Sequence, residues 1–342
     1  MSRACFFCQS LVVAVLAFSP TDPSFAEQDE KPAFLRAGMI GLDTSHVTAF
    51  TSILNDPKNL DKFGVKVVAG YPGGSPDLPD SANRLAGFTK TLKEKYNVEI
   101  VDSIEELLKK VDVVFLESVD GRPHLKQAIP VLKAGKPMFI DKPMAGSLAD
   151  VLMIFELAAK HKAPVYSSSS LRYSPAIAGI RKNPKKVGNV VGCFSYGPCP
   201  LEKTHPDLFW YGIHGVETLF TVMGTGCKSV SRTHTKGADV VTGTWDDGRI
   251  GTFRGVRDGS AAYGAIVFGG KGVYTAPGSG DYKALMGEVC QFFKTGKAPV
   301  AAQETIEIFA FMEAADESKR NGGAVVTLES VLRKAKEKIG AP

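Results

Sequence analysis

The sequence predicts an α/β protein: a doubly wound parallel sheet followed by a C-terminal α+β domain with a largely antiparallel sheet. Two observations carry this. From residue 34 to about 167, short β-branched or apolar runs alternate with amphipathic segments, and beyond about 168 strands and turns dominate until helices return. Parallel strands are expected at 34–40, 65–71, 99–101, 113–116, 138–140 and 165–167. Between them, Val47, Phe50, Ile53, Leu54 and then Leu85, Phe88, Leu92, Tyr96 repeat with the spacing of one helix face. Ser103-Ile104-Glu105-Glu106 reads as a capping box, Pro123 suits a first helical turn, and Gly135 closes the helix carrying Leu125, Ile129 and Leu132. In the second half, strands are expected at 187–196, 240–245, 249–253, 262–268 and 272–275, with hairpin turns at Asp246-Asp247-Gly248 and Gly269-Gly270-Lys271-Gly272. Helices follow at 282–294, 304–321 and 330–339. The division is into residues 33–167 and 168–342, after an N-terminal segment of a different kind.

That segment has Arg3, an apolar run from Ala4 to Phe18, and Ser24-Phe25-Ala26 before Glu27, the order of a secretory signal peptide spanning residues 1–26. The run is shorter than the ~20 residues a bilayer-spanning helix needs. An exported protein, periplasmic or extracellular, without stable membrane insertion after cleavage, is therefore expected. The net charge of +5 is dispersed among Lys/Glu and Lys/Asp mixtures, which argues against a nucleic-acid partner. Removal of the leader takes Cys5 and Cys8 and leaves Cys193, Cys199, Cys227 and Cys290. Cys193 and Cys199 are close enough to bridge across a bend; free buried thiols are the other reading.

In an open parallel sheet, ligands bind beyond the carboxyl ends of the strands. The first such end is Gly38-Met39-Ile40-Gly41-Leu42-Asp43-Thr44-Ser45-His46. A Rossmann-type fingerprint, Gly-x-Gly-x-x-Gly, uses its second glycine to let backbone approach a pyrophosphate. Gly41 supplies the first glycine, Asp43 replaces the second, and the third is absent. Gly41, Asp43, Thr44 and Ser45 are the candidate cofactor contacts. Asp43, Thr44 or Ser45 equally suits a helix cap.

The fifth predicted strand delivers Asp141-Lys142-Pro143 to the same edge. This segment resembles the Glu-Lys-Pro signature of the glucose-fructose oxidoreductase/inositol dehydrogenase (Gfo/Idh/MocA) family. Pro123-His124 with its following helix, Arg172-Tyr173-Ser174-Pro175, and Gly212-Ile213-His214 resemble further family segments in the same order. The resemblance implies a nucleotide-binding N-terminal domain and an open-faced C-terminal sheet that serves substrate binding and oligomerisation. It also implies NAD or NADP as cofactor, oxidation of a carbohydrate or polyol, and a homo-oligomer. It assigns Lys142 and His214 to catalysis, and Asp141 with Lys142 to the cofactor. His124, Arg172, Tyr173 and Glu217 are expected on the substrate side. Imidazole has the near-neutral pKa that removal of a hydroxyl proton requires, and an ammonium group stabilises a developing alkoxide.

Two features depart from the family pattern. The aspartate expected four residues before the histidine is Trp210, and the end of the second strand offers no acid for a ribose hydroxyl, Asp77 lying several residues beyond. Glu217, one turn after His214, is placed to orient the imidazole. The cluster Glu202, His205, Asp207, His214 and Glu217, to which Asp43 and His46 are candidates from the opposite side of the cleft, lacks a tight metal-binding spacing; it reads as a polar wall, and no metal site is assigned. An elimination, hydration or glycoside-cleaving enzyme using the same Lys142 and His214 without a dinucleotide is the alternative function.

Overall fold

Six short strands form the first sheet: β1 (Leu35–Ile40), β2 (Val65–Tyr71), β3 (Glu99–Ile100), β4 (Val113–Leu116), β5 (Met138–Asp141) and β6 (Val165–Ser168). The computed structural model describes Met1 and residues 34–340, so the expected signal peptide and its cleavage after Ala26 lie outside the described residues. All pairings in this sheet are parallel, in the order β3-β2-β1-β4-β5-β6. Every residue of β4 and β5 is buried, as expected of strands covered by helices on both faces. Because the strand order reverses between β1 and β4, the connections leaving them diverge and open a crevice at their carboxyl ends.

Local signals act as the sequence predicts. The Ser103 hydroxyl accepts from Glu106 N–H at 3.1 Å. The Glu106 carboxylate reaches back to Asp102 N–H at 3.2 Å, one residue earlier than a reciprocal box requires. Gly135 adopts φ +67°, the left-handed conformation that ends a helix.

The second sheet has seven strands: β7 (Val190–Pro198), β8 (Cys227–His234), β9 (Ala238–Trp245), β10 (Ile250–Val256), β11 (Tyr263–Gly269), β12 (Gly272–Gly278) and β13 (Val326–Thr327). Its order is β12-β11-β7-β10-β9-β8-β13; β7 and β10 are parallel and the rest antiparallel. Strand β8 escapes the sequence pattern because Arg232 occupies a core position. The guanidinium is buried against Asp239, Asp316 and Asp207, so a residue that reads as exposed points inward. Helices Gly212–Met223 and Ala302–Arg320 cover one face. A Cβ at Gly215 would lie 2.1 Å from the Phe253 ring, so glycine there lets the first of these helices rest against β10.

The opposite face is left open and apolar, with Phe194, Ile266, Ile250 and Phe268 on neighbouring strands. The four cysteines of the described residues are free and buried, which decides between the two thiol readings. Burial pushes the Cys193 and Cys199 thiols up to about 12. Among the described residues, no helix is long and apolar enough to cross a membrane.

Candidate active site

At the end of β1 the chain turns through Gly41, at φ +84°. A Cβ there would stand 2.4 Å from the Ser118 backbone nitrogen, so the close approach of β1 to the end of β4 demands glycine. Asp43 is completely buried; its carboxylate accepts from Val119 N–H at 2.9 Å and from the Ser81 hydroxyl at 2.5 Å. Burial raises the pKa of this carboxyl, against the lowering effect of those hydrogen bonds. Asp43 is thus a bracket between β1, β4 and the segment after β2, and its side chain does not face a cofactor. Thr44 caps the helix Ser45–Leu54 by accepting from His46 N–H, leaving Ser45 as the exposed residue at the helix start.

The strand ends then bring His46, Glu117, Asp141 and Lys142 together. His46 Nδ1 lies 2.7 Å from Asp141 Oδ2, and its ring packs between Phe50 and Tyr282 at centroid distances of 5.0 Å. Glu117, the residue just past β4, is fully buried, and neither of its carboxylate oxygens has a hydrogen-bond partner. Burial holds its pKa well above the usual carboxylate range; the charge of Asp141 adds to this and Lys142 opposes it. Burial also acts on Asp141, but His46 and Lys142 outweigh it and keep that carboxyl low. Lys142 Nζ sits 5.6 Å above the Tyr211 ring.

His214 approaches from the second half of the chain, on the first turn of Gly212–Met223. Its Nδ1 is 2.7 Å from the Ser169 hydroxyl, and Tyr211 and Tyr263 meet the ring edge-on. Part of the side chain stays accessible, yet close packing desolvates it. This burial, reinforced by Lys142, depresses its pKa well below the ordinary 6.5. The imidazole is therefore neutral at pH 7 and able to accept a proton.

Three expected substrate residues serve other roles. His124 is completely buried, with Nδ1 3.1 Å from Met144 O and Nε2 2.9 Å from Ser118 O, so it braces two loops. Arg172 is buried between Glu217 at 2.8 Å and Glu304 at 2.6 Å. The Tyr173 hydroxyl is buried rather than presented to a ligand. Glu217 does not reach His214 directly. It accepts from Ser168 Oγ, Ser169 N–H and Arg172 Nε, each at 2.8 Å, and so fixes the serine that meets the imidazole. The polar cluster in the sequence disperses: Asp207 pairs with Arg232 and Lys319, and His205 Nε2 stands 3.0 Å from Asp120 Oδ1 in an ion-pair contact without in-line hydrogen-bond geometry.

The charges of Lys142 and Asp141 both act on His214, so these three residues lie in one neighbourhood. Glu117, Tyr211, Tyr263 and Tyr282 complete the site and were missed. A signal for Glu117 existed: it is the acid immediately after the apolar run 113–116, on the edge where ligands bind.

The parallel sheet with its crevice and the second mixed sheet define a Rossmann-type two-sheet protein. Residues 79–169 match the GFO_IDH_MocA model, described as "Oxidoreductase family, NAD-binding Rossmann fold". The chain is 28% identical over 151 residues to "Putative oxidoreductase YceM" of Salmonella typhimurium; the alignment covers 41% of this chain and 46% of that protein. In fold it is similar to scyllo-inositol dehydrogenase from Lactobacillus casei, solved with bound NAD(H) and scyllo-inositol, at TM-score 0.72 and 13% identity over 86% of this chain and 99% of that one. It is likewise similar to myo-inositol 2-dehydrogenase from Lactobacillus plantarum, at TM-score 0.69 and 17% identity over 86% and 99% of the two chains. The family resemblance read from the sequence therefore holds, in sequence over residues 79–169 and in fold over most of the chain.

Proposed function

We propose that this protein is a nicotinamide-dependent oxidoreductase acting on a hydroxyl group of a carbohydrate or polyol. The observation that carries it is a neutral His214, met by the Ser169 hydroxyl that Glu217 in turn fixes, within the electrostatic reach of Lys142 at the carboxyl edge of the parallel sheet. The match to an NAD-binding family and the likeness to inositol dehydrogenases support the same reading.

The fit of a dinucleotide turns on Asp43, where a carboxylate next to a pyrophosphate would repel it. Its carboxylate is buried and engaged by Val119 N–H and the Ser81 hydroxyl, and burial raises its pKa, which favours the uncharged form and weakens that objection. Gly41 N–H is already taken by Tyr71 O at 3.0 Å, so the backbone of Thr44 and Ser45 at the helix start, with Lys142 at the far end, would hold NAD or NADP. A bound nicotinamide would supply the hydride acceptor. His214 takes the hydroxyl proton, Lys142 steadies the oxygen as negative charge develops, and the tyrosines flank that point.

The test is titration of the purified protein with NAD and NADP by calorimetry, followed by a panel of sugars and cyclitols monitored for reduced nicotinamide. Absence of binding by either dinucleotide, with no turnover, defeats the proposal. Elimination without a dinucleotide is the second reading, favoured by one observation: Gly73 packs over Gly41, its Cβ position 3.4 Å from the Gly41 Cα, so the chain's own loop covers part of the cradle. Turnover of oxidised or intact glycosides with no added dinucleotide would select it.

We read the N-terminal segment as a cleaved export signal; a mature protein beginning at Glu27 would support this, and retention of residues 1–26 would refute it. The open apolar face of the second sheet, with Ile250 56% and Phe268 41% exposed, suits a second copy of the chain.

A further inference from the structure

One imidazole nitrogen of His46, one oxygen of Glu117 and one of Asp141 lie within 4.8 Å of one another. They come from the first turn of the helix that follows β1, from the residue just past β4 and from the last residue of β5, so the convergence is set by the sheet and not by a local turn. The carboxylates are underserved: both Glu117 oxygens and Asp141 Oδ1 are buried with no hydrogen-bond donor, while Asp141 Oδ2 meets His46. Native proteins rarely leave several buried acceptors orphaned at one point, because burial removes water without replacing its hydrogen bonds. The nearest cation, Lys142, packs over Tyr211 and donates to none of the three.

We infer that His46, Glu117 and Asp141 form a binding site for a divalent first-row cation. Two carboxylates supply the charge that a divalent ion neutralises. The mixed nitrogen and oxygen donors favour Mn²⁺, Fe²⁺, Co²⁺ or Zn²⁺ over Ca²⁺, which prefers all-oxygen cages, and over ions that select thiolates. Packing of His46 by Phe50 and Tyr282 fixes its ring as a ligand ring must be fixed. Three protein ligands leave coordination positions open on an ion at the sheet edge, where the oxygen of a hydroxylated or carbonyl ligand would bind. This inference stands apart from hydride transfer, since the ion would be held whether or not a dinucleotide binds.

Metal-free protein is titrated with Mn²⁺ and with Zn²⁺ by calorimetry, and the Mn²⁺ form is examined by pulsed electron paramagnetic resonance. The expected result is saturable binding with coupling to an imidazole nitrogen. Glu117→Gln, which preserves shape, should weaken Mn²⁺ affinity about 10- to 100-fold, and His46→Asn should do so with loss of the nitrogen coupling. Asp77→Asn, at a surface ion pair with Arg122, should bind as the parent does. The inference is overturned if neither ion binds, if bound Mn²⁺ shows only oxygen ligands, or if both site variants, folded by circular dichroism, bind with unchanged affinity. The wild-type resonance spectrum decides the matter even where a variant fails to fold.

Discussion

His46 Nδ1 and Asp141 Oδ2, 95 residues apart in sequence, meet at 2.7 Å and tie the first helix of the parallel sheet to the end of β5. The bond is buried, with His46 on the first turn of that helix and Asp141 at the terminus of β5. His46→Phe keeps an aromatic ring against Phe50 and Tyr282 but leaves Asp141 without its partner. Chemical denaturation should show a loss of about 2–3 kcal/mol, the usual cost of stranding a buried charged hydrogen-bonding group. A change near zero would mean that the pairing is not maintained in solution.

Restoring a glycine at the fingerprint position should damage the protein. Asp43→Gly strands Val119 N–H and the Ser81 hydroxyl and removes the bracket that holds three segments together. Stability is expected to fall by at least about 2 kcal/mol, with no gain in dinucleotide affinity. Tighter dinucleotide binding with unchanged stability would overturn the structural role assigned here.

Arg172 offers a separate check, because family resemblance places it at the substrate and the structure places it between Glu217 and Glu304. Arg172→Met should destabilise by about 3–5 kcal/mol, as for other buried pairs that lose one member. It should also displace Ser169 through Glu217, lowering kcat more than it raises KM. A variant with parental stability and only a raised KM would return Arg172 to substrate binding.

The pH dependence follows from two depressed imidazoles. His214 is held well below 6.5 by burial and by Lys142, so the proposed base stays unprotonated at neutrality and the acid limb of the kcat profile is expected on the acid side of 6.5. His214→Gln should reduce kcat by about 10²- to 10⁴-fold while the fold persists. His124, lowered chiefly by burial, bears on stability. Its native value lies below its unfolded value, so the contribution is complete above 6.5 and is lost as pH falls through the lower native value. Each such proton adds a slope of up to about 1.4 kcal/mol per pH unit. Urea denaturation at stepped pH should show this decline; constant stability across that interval would contradict it.

Oligomerisation is checked on the open face. Ile250→Lys combined with Phe268→Lys places charges where β10 and β11 expose apolar side chains. Light scattering should show an assembly for the parent and a monomer for the double variant, both folded. A parent that stays monomeric at all concentrations would remove the proposal.

Most of the fold was legible because its signals are local and redundant. Runs such as 113–116 and 138–140 are apolar on both faces, and Ser103 and Gly135 mark helix ends through bonds made within a few residues. Strand β8 was not legible, since Arg232 reads as surface until Asp207, Asp239 and Asp316 arrive from distant segments. The site divides in the same way. Lys142 and His214 were found through their motifs, whereas Glu117 is one acid among many until the sheet sets it beside Asp141 and His46.

Sequence alone therefore determined the order of elements and the parallel sheet with its crevice, and it marked Lys142 and His214 as the expected catalytic residues. Tertiary structure decided which polar groups are sealed from water and with what partners. It turned Asp43 and Arg172 inward to structural bonds and left the Glu117 carboxylate buried and unpaired. Helix and strand preferences arise from interactions over a few residues, but the state of a charged side chain depends on desolvation and on partners from anywhere in the chain.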